Sequence, residues 1–222
     1  MEYKRITIIS GHYGSGKTNI AVNMAYDLKT RRENTAIADL DIVNPYFRTL
    51  DSWEDFKKRG IRLICSSFAN SNVDAPALPQ EMYSITDDRS QNVIIDVGGD
   101  DRGALALGRI SGAIVEEDNY DMYMVINCYR PLTRTVEDLL TVKEEIEMAG
   151  RIRFTGIINN SNLGKDTKPE DVIRSCEYAD TAAQRMNLKI AATSYDKRLD
   201  KELRNKVPNP FAMELQELIP GV

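Results

Sequence analysis

The stretch Gly11-His12-Tyr13-Gly14-Ser15-Gly16-Lys17-Thr18 fits the pattern G-x-x-x-x-G-K-[ST]. Residues of these types at this spacing are suited to hold a row of phosphates. Glycines let the backbone turn tightly and approach a ligand closely. Successive N–H groups then point inward as an anion-binding nest. The N-terminus of a following helix adds its dipole and its unpaired donors. In that chemistry the backbone of Gly11, Gly14, Ser15, Gly16 and Asn19 lines the cradle, Lys17 reaches the β- and γ-phosphates, and the Thr18 hydroxyl ligates Mg²⁺. A glycine-rich turn that merely joins a strand to a helix is the plainer alternative. The flanks favour the phosphate loop: Ile6–Ile9 reads as a strand, and Ile20, Met24 and Leu28 recur at helical spacing behind it.

A triphosphate site also needs carboxylates around its metal. Asp96 closes the apolar run Val93-Ile94-Ile95, and the carboxyl end of a parallel strand is where ligands sit. Gly98 and Gly99 follow, so a γ-phosphate could meet the Gly99 N–H. Asp39 and Asp41 follow the run Thr35–Ala38, and alternation sends both side chains the same way. One could hold a metal-bound water while the other orients the attacking water. Turn formation by Asp96, and helix capping by the Asp39 and Asp41 pair, remain the bland readings.

These residues require a scaffold that presents strand ends on one edge. Short β-branched runs recur at Ile6–Ile9, Thr35–Ala38, Ile61–Ile64, Val93–Val97, Met122–Ile126, Phe154–Ile158 and Ile190–Thr193. Near-continuous apolar runs of this length suit strands buried on both faces of a parallel sheet. Helical patterns lie between them; Val136, Leu139, Leu140 and Ile146 mark one face. The alternation predicts an α/β fold, doubly wound, with a mainly parallel sheet of about seven strands and helices on both faces. Residues 1–222 are expected to form a single domain.

Composition narrows the function classes. With 42% apolar and 28% charged residues the chain reads as an ordinary globular protein. Cys65, Cys128 and Cys176 are far apart and unpaired in sequence, which suggests free thiols in a reducing cytosol and no iron–sulfur cluster. Met1 to Arg5 lacks the pattern of a secretory leader, and no apolar run has the length of a membrane span. Net charge is −5, so nucleic acid receives no global attraction.

The loop, the pair Asp39-Leu40-Asp41 and the strand-end Asp96, in this order, resemble the ParA/MinD/CobQ group of P-loop ATPases. The likeness runs from the first strand to about Thr193. It implies an ATP-binding, Mg²⁺-dependent cytoplasmic protein. The implied activity is ATP hydrolysis, coupled to a nucleotide-dependent homodimer or to an unidentified protein partner. It implies further that Asp96 acts as a Walker B aspartate and that Asp41 positions or activates water beside the metal. Asn159 or Asn160, in Ile157-Ile158-Asn159-Asn160-Ser161-Asn162, is the implied adenine contact. GTPases of related folds carry Asn-Lys-x-Asp there, and this chain has neither the Lys nor the Asp. Loop asparagines in a turn are the other reading. ATP-dependent biosynthetic relatives and non-hydrolysing nucleotide sensors are the alternative functions; the region 68–88 could serve a second substrate.

The chain departs from that group inside the loop. Dimeric members carry a lysine where His12 stands, and a glycine where Tyr13 stands. Neutral histidine cannot copy a fixed positive charge. Arg48 or Arg102, beside the acidic motifs, is the candidate substitute, with an ordinary surface or ion-paired arginine as the other reading for each. The C-terminal residues Phe211, Leu215, Leu218 and Ile219 suggest a helix docked on the core rather than on a membrane, because its charges, Glu214 and Glu217, are acidic. Lys197, Arg198, Lys201, Arg204 and Lys206 are interleaved with Asp196, Asp200 and Glu202, as in a solvated helix rather than a DNA-binding face.

Overall fold

A computed structural model describes residues 1–40, 53–65, 80–99 and 101–215. Asp41 and Arg48 lie outside the described residues, as do residues 68–79 of the 68–88 region, and Arg102 is described by its backbone alone.

Eight strands form one parallel sheet: β1 Ile6–Ser10, β2 Thr35–Asp39, β3 Arg62–Cys65, β4 Asn92–Asp96, β5 Tyr120–Ile126, β6 Gly156–Asn159, β7 Lys189–Asp196 and β8 Pro210–Met213. Their order across the sheet is β3-β2-β4-β1-β5-β6-β7-β8. The chain leaves β1 toward one edge, returns with β4, and then builds outward to the other edge. The first strand therefore lies inside the sheet, and the crevice above its carboxyl end sits where the winding changes direction.

The seven expected strands are all present, with ends shifted by only a few residues. The eighth is a correction. Phe211 belongs to a short strand paired in parallel with β7, with Ser194 opposite Phe211 and Tyr195 opposite Ala212. Pairing with an open sheet edge satisfied backbone groups that a helix would have satisfied internally. Leu215 follows that strand, and Leu218 and Ile219 lie outside the described residues.

Helices cover both faces. On one face α1 (Lys17–Arg31) and α2 (Trp53–Arg59) bury Ile20, Met24, Leu28 and Phe56 against Ile9, Ile37, Ile94, Val125 and Ile158. On the other, α3 (Gln80–Asp87), α4 (Asp101–Leu107), α5 (Ser111–Glu117), α6 (Val136–Gly150) and α7 (Pro169–Met186) pack on Ile6, Ile8, Ala38, Ile95, Met124 and Ile157. Alternate residues of each strand serve opposite layers, which is why these strands read as unbroken apolar runs. α6 starts at a capping box in which Thr135 and Asp138 exchange side-chain and backbone hydrogen bonds.

Two fixtures stiffen the two ends of the sheet. At the amino end, the buried Arg5 guanidinium pairs with Glu117 of α5 and donates to the carbonyls of Ile85 and Gln91, at 3.0 and 3.1 Å. At the carboxyl end, ladder bonds continue past the strands. Val97 N–H donates to Ile9 O at 2.9 Å, and Leu40 N–H donates to Asp96 O at 2.8 Å. The loops after β1, β2 and β4 thus leave the sheet from fixed positions. Among the described residues no helix is long and apolar enough to cross a membrane. In the basic C-terminal stretch Arg198 pairs with Asp196, Arg204 with Asp200, and Lys197 with Glu214.

Candidate nucleotide-binding site

The loop from Gly11 to Gly16 joins β1 to α1. Gly16 ends it at φ 90° and ψ 25°, left-handed values that a side chain rarely adopts. A Cβ there would also fall 2.3 Å from Asn160 Nδ2, so the position is closed to larger residues on two counts. α1 opens directly on Lys17, with no acidic residue in its first turn. Its first N–H groups have no partner within the helix and face the loop.

Lys17 is buried, and its ammonium donates to His12 O at 3.2 Å, across the mouth of the loop. The loop after β4 closes against it: a Cβ on Gly99 would lie 2.7 Å from Lys17 Nζ and 2.6 Å from Tyr13 N. Only glycine allows the two loops to meet this closely. The Ser15 hydroxyl is buried inside the turn with no hydrogen-bond partner among the described residues. An orphaned hydroxyl, a buried ammonium and the open amides of a helix start form a donor set that fits a polyphosphate anion.

Asp39 and Asp96 stand opposite one another at the ends of neighbouring strands. The alternation that sends Ile37 and Ile94 to the α1 side of the sheet sends these two carboxylates there as well. Asp96 also lies in register with Ile9, one residue before the end of β1. Both acids therefore border the start of α1, where Thr18 is half-buried. Among the described residues no three His, Cys, Asp or Glu side chains group closely enough to hold a metal alone. A divalent cation here would be shared between Thr18, an aspartate and phosphate oxygens, the hard-oxygen set Mg²⁺ prefers.

His12 occupies the position of the missing lysine. Its Nδ1 sits 2.9 Å from Tyr13 O and donates to it, turning the ring back on its own loop. Tyr13 projects into solvent. The asparagines at the end of β6 are both buried and both already bonded within the protein. Asn159 Nδ2 donates to Ser175 Oγ at 2.9 Å, and its Oδ1 accepts from Ser161 N–H. Asn160 Nδ2 donates to Ser15 O at 2.7 Å, and its Oδ1 accepts from Ser194 Oγ at 2.7 Å. Asn160 is thus a brace under the phosphate loop, a contact between residues 145 positions apart that no local pattern announces.

Arg130, which the sequence motifs do not single out, also borders the loop. It follows β5, the other neighbour of β1, and its Nε lies 4.0 Å from where a Cβ on Gly14 would be. The general rule that ligands sit at the carboxyl ends of parallel strands was the available signal, yet it applies equally to every strand end. The three cysteines occupy separate elements, at the end of β3, after β5 and in α7, and burial pushes each thiol above its usual range.

Solved structures share this architecture. The signal recognition particle receptor FtsY from Elizabethkingia anophelis matches with a TM-score of 0.53 at 13% identity, over 87% of this chain and 59% of that one. The signal recognition particle 54 kDa protein from Aeropyrum pernix K1, in complex with GDP, gives 0.53 at 16% identity, over 85% of this chain and 41% of that one. This chain therefore spans less than two thirds of either protein, and at such identities the likeness is one of fold. No curated protein matches the sequence. The description of the CobQ/CobB/MinD/ParA nucleotide binding domain fits residues 6–192, from the first strand to the middle of β7. With the phosphate loop, both strand-end aspartates and the parallel sheet inside that span, the chain belongs to the CobQ/CobB/MinD/ParA nucleotide-binding domain family.

Proposed function

We propose that this protein binds ATP with Mg²⁺ and hydrolyses it as a nucleotide-controlled switch acting on a protein partner, with a homodimer as its ATP-bound form. The observation that carries the proposal is a convergence at one end of the sheet. The Gly11–Thr18 loop, the buried Lys17 ammonium and the in-register pair Asp39 and Asp96 all meet there.

In this reading Lys17 and the amides of Gly14 to Thr18 hold the phosphates. Thr18 and Asp96 hold the metal, Asp39 supports its water shell, and Asp41 orients the attacking water. Phosphoryl transfer of this kind rests on positioning and charge neutralisation, both of which a rigid loop beside paired carboxylates supplies. His12 offers no fixed charge to a neighbouring subunit, so turnover is expected to depend on the partner. ATP is preferred to GTP because Asn159-Asn160-Ser161-Asn162 lacks the Lys and Asp of the guanine-reading pattern Asn-Lys-x-Asp.

Phosphate release from ATP and from GTP, in Mg²⁺ and in EDTA, tests the reading alongside light scattering for mass. Mg²⁺-dependent release from ATP that Lys17→Ala abolishes, with a mass increase on ATP binding, is the expected result. Turnover that appears only with an added small-molecule acceptor would replace the switch by a biosynthetic enzyme. Binding without turnover under every condition would leave a sensor. Absence of binding to either nucleotide would sink the proposal.

A further inference from the structure

We propose that Arg130 is a phosphate-contacting residue of this site, supplying from the protein's own β5–α6 loop the fixed positive charge that His12 lacks. The inference rests on the nucleotide-binding reading above and names a residue for it.

The turn that carries Arg130 is held from several sides. Asn127 and Thr133 are both buried. Arg130 N–H donates to Asn127 O at 3.1 Å, Thr133 N–H donates to Arg130 O at 3.2 Å, and the Thr133 hydroxyl donates to Asn127 O at 3.1 Å. Asn127 Oδ1 accepts from Tyr129 N–H at 3.0 Å. Ser161 Oγ accepts from Cys128 N–H at 3.1 Å, and the Tyr129 hydroxyl donates to Asp171 O at 2.9 Å. The Tyr178 hydroxyl donates to Thr133 O as well. A loop anchored at so many points fixes the place from which this side chain extends.

That place is the phosphate loop. Gly14 has φ 78°, and the space its missing Cβ leaves open faces Arg130 Nε at 4.0 Å. The guanidinium is exposed and has no hydrogen bond or ion pair among the described residues, whereas eight other lysines or arginines among them hold a carboxylate. An arginine set on a braced turn, without a carboxylate, beside a glycine of an anion-binding loop, has the geometry for bidentate contact with a phosphate. Because β5 and β1 pair directly, both ends of this contact are fixed by one strand ladder.

Calorimetric titration of the full chain with ATP and with inorganic triphosphate, in Mg²⁺, compares wild type, Arg130→Ala, Arg130→Lys and Lys17→Ala. Arg130→Ala is expected to weaken both ligands equally, by about tenfold to a hundredfold, the loss typical of a hydrogen bond to a charged group. Arg130→Lys should recover part of the loss as a point charge. Melting temperature checks the fold, and an exposed side chain without a partner among the described residues should leave it unchanged. Unchanged binding in Arg130→Ala while Lys17→Ala loses it overturns the proposal and leaves the nucleotide reading intact. A loss confined to ATP, with inorganic triphosphate unaffected, also overturns it, because the contact would then be to base or sugar. If Lys17→Ala binds ATP as well as wild type does, the nucleotide reading itself fails.

Discussion

Replacing Asn160 with alanine separates a brace under the phosphate loop from a base-reading residue. Asn160 is 2% exposed and holds Ser15 O and Ser194 Oγ, each at 2.7 Å. Alanine removes both bonds. The Ser194 hydroxyl retains a second acceptor, Asn159 O at 3.2 Å, so its share of the loss is small. The Ser15 carbonyl loses a buried amide donor at a cost of about 1–3 kcal/mol. A central value of about 2 kcal/mol corresponds to a Tm lower by roughly 4–8 °C for a chain of this size. The same energy bounds the effect on binding. If it is the free energy that holds the loop ready, affinity falls by at most about thirtyfold. Loop order serves any polyphosphate, so ATP and inorganic triphosphate should weaken by the same factor. Thermal denaturation followed by calorimetric titration with both ligands measures each quantity. An unchanged Tm, or a defect seen with ATP alone, refutes the brace.

Other consequences can be measured separately. Gly99→Ala places a methyl group 2.6 Å from Tyr13 N and 2.7 Å from Lys17 Nζ; the strain of such overpacking, about 1–3 kcal/mol, should appear as triphosphate affinity lowered about tenfold or more. Glu117 is held below its usual carboxylate pKa, first by its hydrogen bond from Arg5 and also by that charge. The pair therefore stabilises the fold above the unfolded-state pKa, and the contribution disappears as pH falls through the folded one. Glu117→Gln should cost about 3 kcal/mol at pH 7, by leaving Arg5 half-satisfied, and should flatten the acid limb of stability in urea titrations run from pH 7 to pH 3. Asn23→Ala removes the two-way link in which Nδ2 donates to Glu214 O and Oδ1 accepts from Glu214 N–H, both at 2.9 Å. Hydrogen exchange should speed up in β8 first, while β1 and β4 remain protected.

The parts of this fold that were legible in the sequence are those written locally. Strands buried on both faces show as unbroken apolar runs, and the phosphate loop is contiguous, so Ile6–Ser10 and Gly11–Thr18 needed no partner to be recognised. Asp39 and Asp96 were legible because each closes such a run; that they stand side by side required the sheet order. Asn160 and Arg130 were not legible in these roles, because each reaches the loop only through strand pairings between β1, β5 and β6. The strand Pro210–Met213 was read as part of a helix because it is four residues long, starts with proline and lacks a β-branched run. It exists because β7 offers it an edge. Asp41 and Arg48 remain where the sequence put them, in residues the structure does not describe.

The interior place of β1 has a consequence for the protein's birth. This strand is made well before either of its neighbours, Asn92–Asp96 on one side and Tyr120–Ile126 on the other. At about 5–20 residues per second, its second edge goes unpaired for on the order of ten seconds after Ser10 has been made. Until Asp96 is made the apolar segment Ile6–Ile9 lacks both of its neighbours, and until Ile126 is made it keeps one open edge. Slowed synthesis before Ile126, or a chaperone deficit in that interval, should therefore lower the soluble yield more than slowing later in the chain does.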